Sequence, residues 1–290
     1  MAEEPPLKTY RGNCHCGVFI FELKVPEIKT ANECNCSLCR KKGYLFTFPG
    51  EGMTVVKGEG TLKKYTFNEG NTEHNFCPTC GTPVMGYNPN FPPGKTTAVN
   101  VRTIQGLDIW KLDINKYAGK ENGPPYTPPK YSGPEPTADI EGAKLYTGSC
   151  HCGAVAACIK IKPLDSTYPD RIAECNCSNC QRAGYLWIYP KKDQVVIQGR
   201  DNLSYYVFGN GVWRKGFCKT CGVQIMNEPN PLTDEQVEAL SADARAFRDG
   251  KMDWFPVNMR ILNDFDFDVV MDKVQRMDGW NMAKPPYVNP

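Results

Sequence analysis

Short runs in which apolar residues alternate with polar ones, or stand together in small groups, recur along the chain at residues 18–25, 44–48, 62–67 and 98–103. A second series follows at 154–161, 185–189, 203–208 and 256–262, and Gly, Pro or Asn bounds most of these segments. This is the pattern of short strands separated by turns. Helical spacing stands out once, where Val237, Leu240, Ala244 and Phe247 fall on one face of residues 233–248. Thr233 and Gln236 make a capping box at its start and Gly250 ends it. The expectation is a mainly β protein with a short helical insertion in its second half, packed as a surface helix on its own domain.

The strand pattern is doubled because the sequence is doubled. Of fifteen cysteines, fourteen form two sets of seven. Cys14, Cys16, Cys34, Cys36, Cys39, Cys77 and Cys80 are matched by Cys150, Cys152, Cys175, Cys177, Cys180, Cys218 and Cys221. Both sets read C-H-C-G, then C-N-C-S-x-C, then F-C-x-T-C-G. The likeness extends to Gly43-Tyr44-Leu45 with Gly184-Tyr185-Leu186, and to Val99-Asn100-Val101-Arg102 with Val257-Asn258-Met259-Arg260. Two units are too few for a solenoid, so the chain reads as a tandem duplication of a self-sufficient domain. The expected organisation is a first domain over 8–126, a Pro-rich, semi-extended linker over 127–143 and a second domain over 144–287.

Composition narrows the class. The apolar content of 41% suits a folded core. The 34 basic and 32 acidic residues nearly balance, and no basic run supplies the footprint of a nucleic-acid binder. No apolar stretch is long enough to span a bilayer and the first residues lack a signal layout. The expectation is a soluble, cytoplasmic protein with no nucleic-acid or membrane partner, in a compartment where disulfides seldom persist and the cysteines point to metal.

Thiolates are good zinc ligands, and structural zinc takes four in a tetrahedron. Cys77-Pro78-Thr79-Cys80-Gly81 is a zinc knuckle whose glycine permits the tight turn, and Cys14-His15-Cys16-Gly17 supplies a second pair. Cys14, Cys16, Cys77 and Cys80 are therefore expected to form one closed site, and Cys150, Cys152, Cys218 and Cys221 its equivalent. Cys34, Cys36 and Cys39, with Cys175, Cys177 and Cys180, remain as three ligands in a tight loop, the arrangement of a catalytic site with an open position. Zinc with three thiolates carries a net charge of about −1, which makes capture of a thiol more natural than generation of hydroxide. Two alternatives fit the same spacing: the trio borrows a knuckle cysteine, or it closes with His15 or His151. The expected content is up to four Zn2+ per chain, two structural and two catalytic.

Other residues carry weaker signals. Arg40, Lys41 and Arg182 follow the trios directly and are candidate contacts for a substrate carboxylate. Glu33 and Glu174 precede the C-x-C motifs and are candidate proton donors or solvated carboxylates. His74 has no histidine at the matching position and reads as a surface residue or a neighbour of the metal ligands. Cys158, the fifteenth cysteine, reads as a buried free thiol. Tyr44, Phe46, Phe48, Tyr185, Trp187 and Tyr189 read as core.

The run G-x-C-H-C-G, C-N-C-S-x-C-R-K-x-G and F-C-x-x-C-G-T resembles the glutathione-dependent formaldehyde-activating family, which includes centromere-protein-V-like proteins. The resemblance covers nearly all of both halves outside the linker and the helical insertion. It implies two tandem domains of the Mss4-like (β-tent) fold, one structural and one catalytic zinc in each with the ligands divided as above, and glutathione or a similar thiol as cosubstrate. The implied partners are a small-molecule thiol and an electrophile, and the implied activity is that of a carbon–sulfur lyase. A zinc-stabilised tandem scaffold without catalysis is the alternative. The chain departs from the family in having two domains, in Gln181-Arg182-Ala183 where the motif has Arg-Lys-x, and in Val223 where it has Thr.

Overall fold

Alternation becomes sheet in both halves of the chain, whose structure here is a computed structural model describing residues 5–282 and 285–290. In the first half Leu7–Asn13 (β1) pairs antiparallel with Ile20–Pro26 (β2). Phe21, Leu23 and Val25 of β2 turn inward while Lys24 faces solvent, the period of two that a half-buried strand requires. Thr30–Cys34 (β3) leads into a helix, Ser37–Lys42 (α1), and then Phe46–Thr47 (β4), Met53–Lys57 (β5), Lys63–Tyr65 (β6), Glu73–Phe76 (β7), Pro83–Tyr87 (β8), Thr97–Asn100 (β9) and Asp113–Tyr117 (β10) follow. β5 joins β1 and β2 in a three-stranded sheet, and the others form a seven-stranded sheet in the order β10-β3-β4-β9-β8-β7-β6.

The second half repeats this plan. Lys144–Ser149 (β11), Ala156–Ile161 (β12), Ile172–Cys175 (β13), the helix Ser178–Ala183 (α2), Trp187–Ile188 (β14), Val195–Gln198 (β15), Leu203–Val207 (β16), Trp213–Cys218 (β17) and Gln224–Pro229 (β18) precede the insertion. Val257–Asn258 (β19) and Val274–Met277 (β20) follow it. The sheets are β11-β12-β15 and β16-β17-β18-β19-β14-β13-β20, the same neighbours as in the first half. In each copy the last strand runs parallel to the strand that ends in the first cysteine of the trio, pairing Tyr117 with Cys34 and Met277 with Cys175. The chain divides into two compact units, formed mainly by residues up to 126 and by residues 127–287. Residues 127–143 hold no helix or strand and lie on the second unit, where the Ala138 N–H donates to the Asp193 carbonyl at 3.1 Å.

Three expectations change. The segment expected to be one helix is two: Asp234–Glu238 (α3) and Ala242–Asp249 (α4). The capping box at Thr233 is present and Gly250 caps the end. Ser241, however, leaves helical geometry at ψ 154° and accepts the Ala244 N–H, so a second N-cap restarts the helix inside the periodic run. The C-x-C-x-x-C segment, expected as a loop, is in its second half the first turn of a helix. The strand expected at 98–103 turns at Val101 into a 3-10 turn, because the Asn100 side chain accepts the Arg102 N–H. Asn258 and Arg260 repeat the turn. Among the described residues no helix is long and apolar enough to cross a membrane.

Candidate metal centres

The four-cysteine clusters grow from two kinds of turn. Between β1 and β2 the Cys14 N–H donates to the Phe19 carbonyl, and the chain turns back through Gly17 at φ 71°. Between β7 and β8 the Cys77 N–H donates to the Thr82 carbonyl, and Gly81 sits at φ 70°. A residue with a Cβ rarely adopts that backbone conformation, so each glycine fixes the direction of its thiols. The turns bring Cys14, Cys16, Cys77 and Cys80 together with all four sulfurs within 4.8 Å of one another, and Cys150, Cys152, Cys218 and Cys221 do the same. Sulfur separations are 3.6 Å for Cys14–Cys16, 3.5 Å for Cys16–Cys77, and 3.6 Å for both Cys150–Cys152 and Cys152–Cys218. Zinc–sulfur bonds of about 2.3 Å in a tetrahedron place the sulfurs about 3.8 Å apart, while a disulfide requires about 2.05 Å. The clusters fit a metal ion and are not disulfides.

The trios are built differently. β3 delivers Cys34, Cys36 is the N-cap of α1, and Cys39 lies in its first turn. The Cys36 sulfur accepts the Cys39 N–H at 3.5 Å, and the Cys34 sulfur accepts the Cys36 N–H at 3.4 Å. Cys177 and Cys175 accept from Cys180 and Cys177 at the same distances. The N–H groups at a helix start stabilise negative charge, but the three thiols share it unequally: the hydrogen bond with Cys36 is the first cause that raises Cys34, to about 11, and that with Cys34 the first that raises Cys39 well above the usual thiol range. Hydrogen bonds from Cys34 and Cys39 hold the Cys36 thiol down to about 3. In the second copy those from Cys175 and Cys177, aided by the Lys215 charge and the Trp187 indole, hold Cys180 well below the usual thiol range. Three sulfurs lie within 4.8 Å of one another in each trio.

The knuckle cysteines stay in their own cluster, and among the described residues no histidine joins any of the four groups. His15 and His151 are buried near the four-cysteine turns. His74 is not a surface residue: it is buried, its ring 5.9 Å from that of Tyr44 and 5.8 Å from that of Phe67. Of the candidate carboxylate contacts, Lys41 and Arg182 are buried and Arg40 is partly exposed. Glu33 and Glu174 stand opposite Lys116 and Arg276 in the parallel pairs, and strand alternation turns them from Cys34 and Cys175. Cys158 is buried within β12, and burial first raises its thiol.

Three features of the trios escape a reading of the cysteines. Tyr44 shares one buried cluster with Cys34 and Cys39, and Cys36 and Phe46 pack against it, so aromatic residues taken for core also wall the site. The Trp187 indole N–H donates to the Cys180 sulfur at 3.3 Å. A glycine after the parallel strand also covers each trio: a Cβ at Gly119 would lie 2.3 Å from the Cys34 sulfur, and one at Gly279 2.3 Å from that of Cys175. The covering segments are tied down alike, the Lys120 N–H donating to the Asn35 side chain and the Trp280 N–H to that of Asn176, each at 2.9 Å. The signal in the sequence is faint, because Tyr-Ala-Gly-Lys and Met-Asp-Gly-Trp share only the glycine.

Two mainly β units, each with one four-thiol and one three-thiol cluster able to hold a metal ion, define a duplicated thiolate-site protein. The family described as glutathione-dependent formaldehyde-activating enzyme matches residues 9–119 and 145–256, and the chain belongs to it. It is 33% identical over 90 residues to a Halomonas elongata protein named "Putative glutathione-dependent formaldehyde-activating enzyme", an alignment covering 28% of this chain and 57% of that protein. The chain thus spans little more than half the length of that relative. A crystal structure of a Rhodobacter sphaeroides protein is similar at 26% identity and a TM-score of 0.32, covering 36% of this chain and 99% of that one.

Proposed function

We propose that the chain is a zinc-dependent carbon–sulfur lyase of the cytoplasm. It would make and break the bond between the sulfur of glutathione, or a similar thiol, and the carbon of an aldehyde or other electrophile. The observation that carries this reading is the division of the sulfurs into groups of four and groups of three. Four thiolates complete a structural site, whereas three leave one position for a reactant. In this reading Cys14, Cys16, Cys77 and Cys80, with Cys150, Cys152, Cys218 and Cys221, hold structural zinc, and the two trios hold catalytic zinc.

When bound at a trio, zinc supplies a fourth position for an incoming thiol sulfur and favours its ionised form. The chain's own contribution is to donate backbone N–H groups to two of the three sulfurs in each trio. The N–H groups of Cys36, Cys39, Cys177 and Cys180 are the donors. In the forward direction the thiol loses its proton to solvent and the sulfur bonds to the carbonyl carbon. The carbon–oxygen π pair moves to oxygen, which takes up a proton. Reversal regenerates thiol and aldehyde. Arg40, the partly exposed member of the three candidate cations, is the one that would meet a carboxylate of the thiol. The cytoplasmic assignment follows from fourteen thiols that must stay reduced to bind metal.

The test is the pair Cys36→Ser and Cys177→Ser in one chain. The expected result is a loss of about two zinc ions per chain with the structural pair retained, together with loss of thiol–aldehyde turnover. Turnover that survives the double substitution overturns the proposal. A wild-type protein with two inert zinc ions and no response to glutathione would instead make the chain a scaffold.

A further inference from the structure

The two trios have the same backbone but different surroundings. Strand pairing fixes the equivalences: Phe46 opposite Asn100 corresponds to Trp187 opposite Asn258, and Pro83 opposite Phe76 corresponds to Gln224 opposite Phe217. Tyr44 and Tyr185 are equivalent and both buried, at 4% and 1% exposure. In the second copy the Tyr185 hydroxyl donates to the Gln224 side chain at 2.6 Å. In the first, Pro83 has no side-chain acceptor, and the buried Tyr44 hydroxyl has no hydrogen-bond partner among the described residues. A buried hydroxyl is costly to leave unmatched, and a group left so in a native fold calls for a reason. Tyr44 belongs to one buried cluster with Cys34 and Cys39.

We propose that the Tyr44 hydroxyl donates a hydrogen bond to the oxygen of the electrophile at the first trio, and that the second trio, whose Tyr185 hydroxyl is held by Gln224, lacks this donor. This rests on the lyase reading above and goes beyond it, because it assigns turnover to the first copy. As the thiol sulfur bonds to the carbonyl carbon, negative charge develops on the oxygen, and a preplaced donor stabilises that charge. Tyr44 keeps its proton throughout; the proton that ends on oxygen is the one the thiol released to solvent. The second trio differs again in that the Trp187 N–H withdraws charge from the Cys180 sulfur, where Phe46 offers the first trio no donor.

The experiment compares Tyr44→Phe with Tyr185→Phe in the full, zinc-loaded chain, following exchange between glutathione plus formaldehyde and their hydroxymethyl adduct. Tyr44→Phe is expected to lower kcat about a hundredfold, with zinc content and KM for glutathione unchanged. Tyr185→Phe is expected to leave all three as they were. A second measurement needs no loss of function: fluorotyrosine placed at position 44 should change its fluorine resonance when glutathione and formaldehyde are added, and the same label at 185 should not. Full kcat in Tyr44→Phe, an equal loss in Tyr185→Phe, or a silent label at position 44 in a protein that turns over each overturns the assignment of Tyr44 alone. A wild-type protein without turnover overturns the lyase reading with it.

Discussion

Gly119 and Gly279 hold their places by steric necessity. Neither has a positive φ, so backbone freedom is not what requires glycine there. The requirement comes from the sulfur that a Cβ would meet at 2.3 Å, far inside any contact real atoms make. Substitution must push the covering segment off the trio or displace Cys34 or Cys175 from it. Gly119→Ala should therefore remove about one zinc ion per chain and cost about 1–3 kcal/mol of stability, with the circular dichroism spectrum retained. Gly279→Ala should do the same to the second copy. Gly86→Ala is the control, since a Cβ there meets nothing closer than the Glu73 carbonyl at 3.7 Å. Full metal content in both variants would show that the cover moves aside freely and does not shape the trio.

At the scale of elements, the insertion between β18 and β19 shows what periodicity does and does not determine. Val237, Leu240, Ala244 and Phe247 keep helical spacing across a helix that stops and restarts, because the Ser241 side chain offers the Ala244 N–H a better partner than a continued helix would. Ser241→Ala removes that cap, which is worth about 1 kcal/mol, and should speed hydrogen exchange over residues 242–249 about fivefold. Unchanged exchange would mean that Ala244, buried on the domain, holds α4 without the cap. The same limit governs the site. The groups of four and three sulfurs follow the cysteine spacing, because a glycine after the second thiol lets each short turn fold back and aim both of its sulfurs the same way. The helix at Cys36 was hidden: C-N-C-S-x-C has no apolar period, and its N-cap is a cysteine whose capping role appears only when the Sγ–N distance is known. Of the two readings of His74, the surface one fails and the place near the metal ligands fits, since its ring lies 5.9 Å from that of Tyr44. The counterpart of His74 opposite Tyr206 is Lys215, which lies over the Trp187 ring at 4.7 Å, so the position is used in both copies by different chemistry.

For the whole molecule, the two kinds of cluster have different mechanical positions. Cys14 and Cys16 belong to the turn of the three-stranded sheet, and Cys77 and Cys80 to a turn of the seven-stranded sheet. A metal ion shared by the four ties one sheet to the other, joining Cys16 to Cys77 at a sequence separation of 61 and Cys152 to Cys218 at one of 66. The trios sit within one sheet, at the end of β3 or β13 and under the segment that follows the parallel neighbour, and tie nothing that strand pairing does not already hold. Binding energy at the four-sulfur clusters should therefore appear as folding energy, and that at the trios should not. Cys16→Ser with Cys152→Ser is expected to lower the melting temperature by about 10 °C or more, whereas Cys36→Ser with Cys177→Ser shifts it by only about 2–4 °C. Cys16→Ser alone should split unfolding into two transitions, since each unit has its own core and its own staple. Equal shifts from the two double variants would mean that the trios also bear the fold, and the separation of structural from reactive metal would fail on physical grounds before any assay of activity.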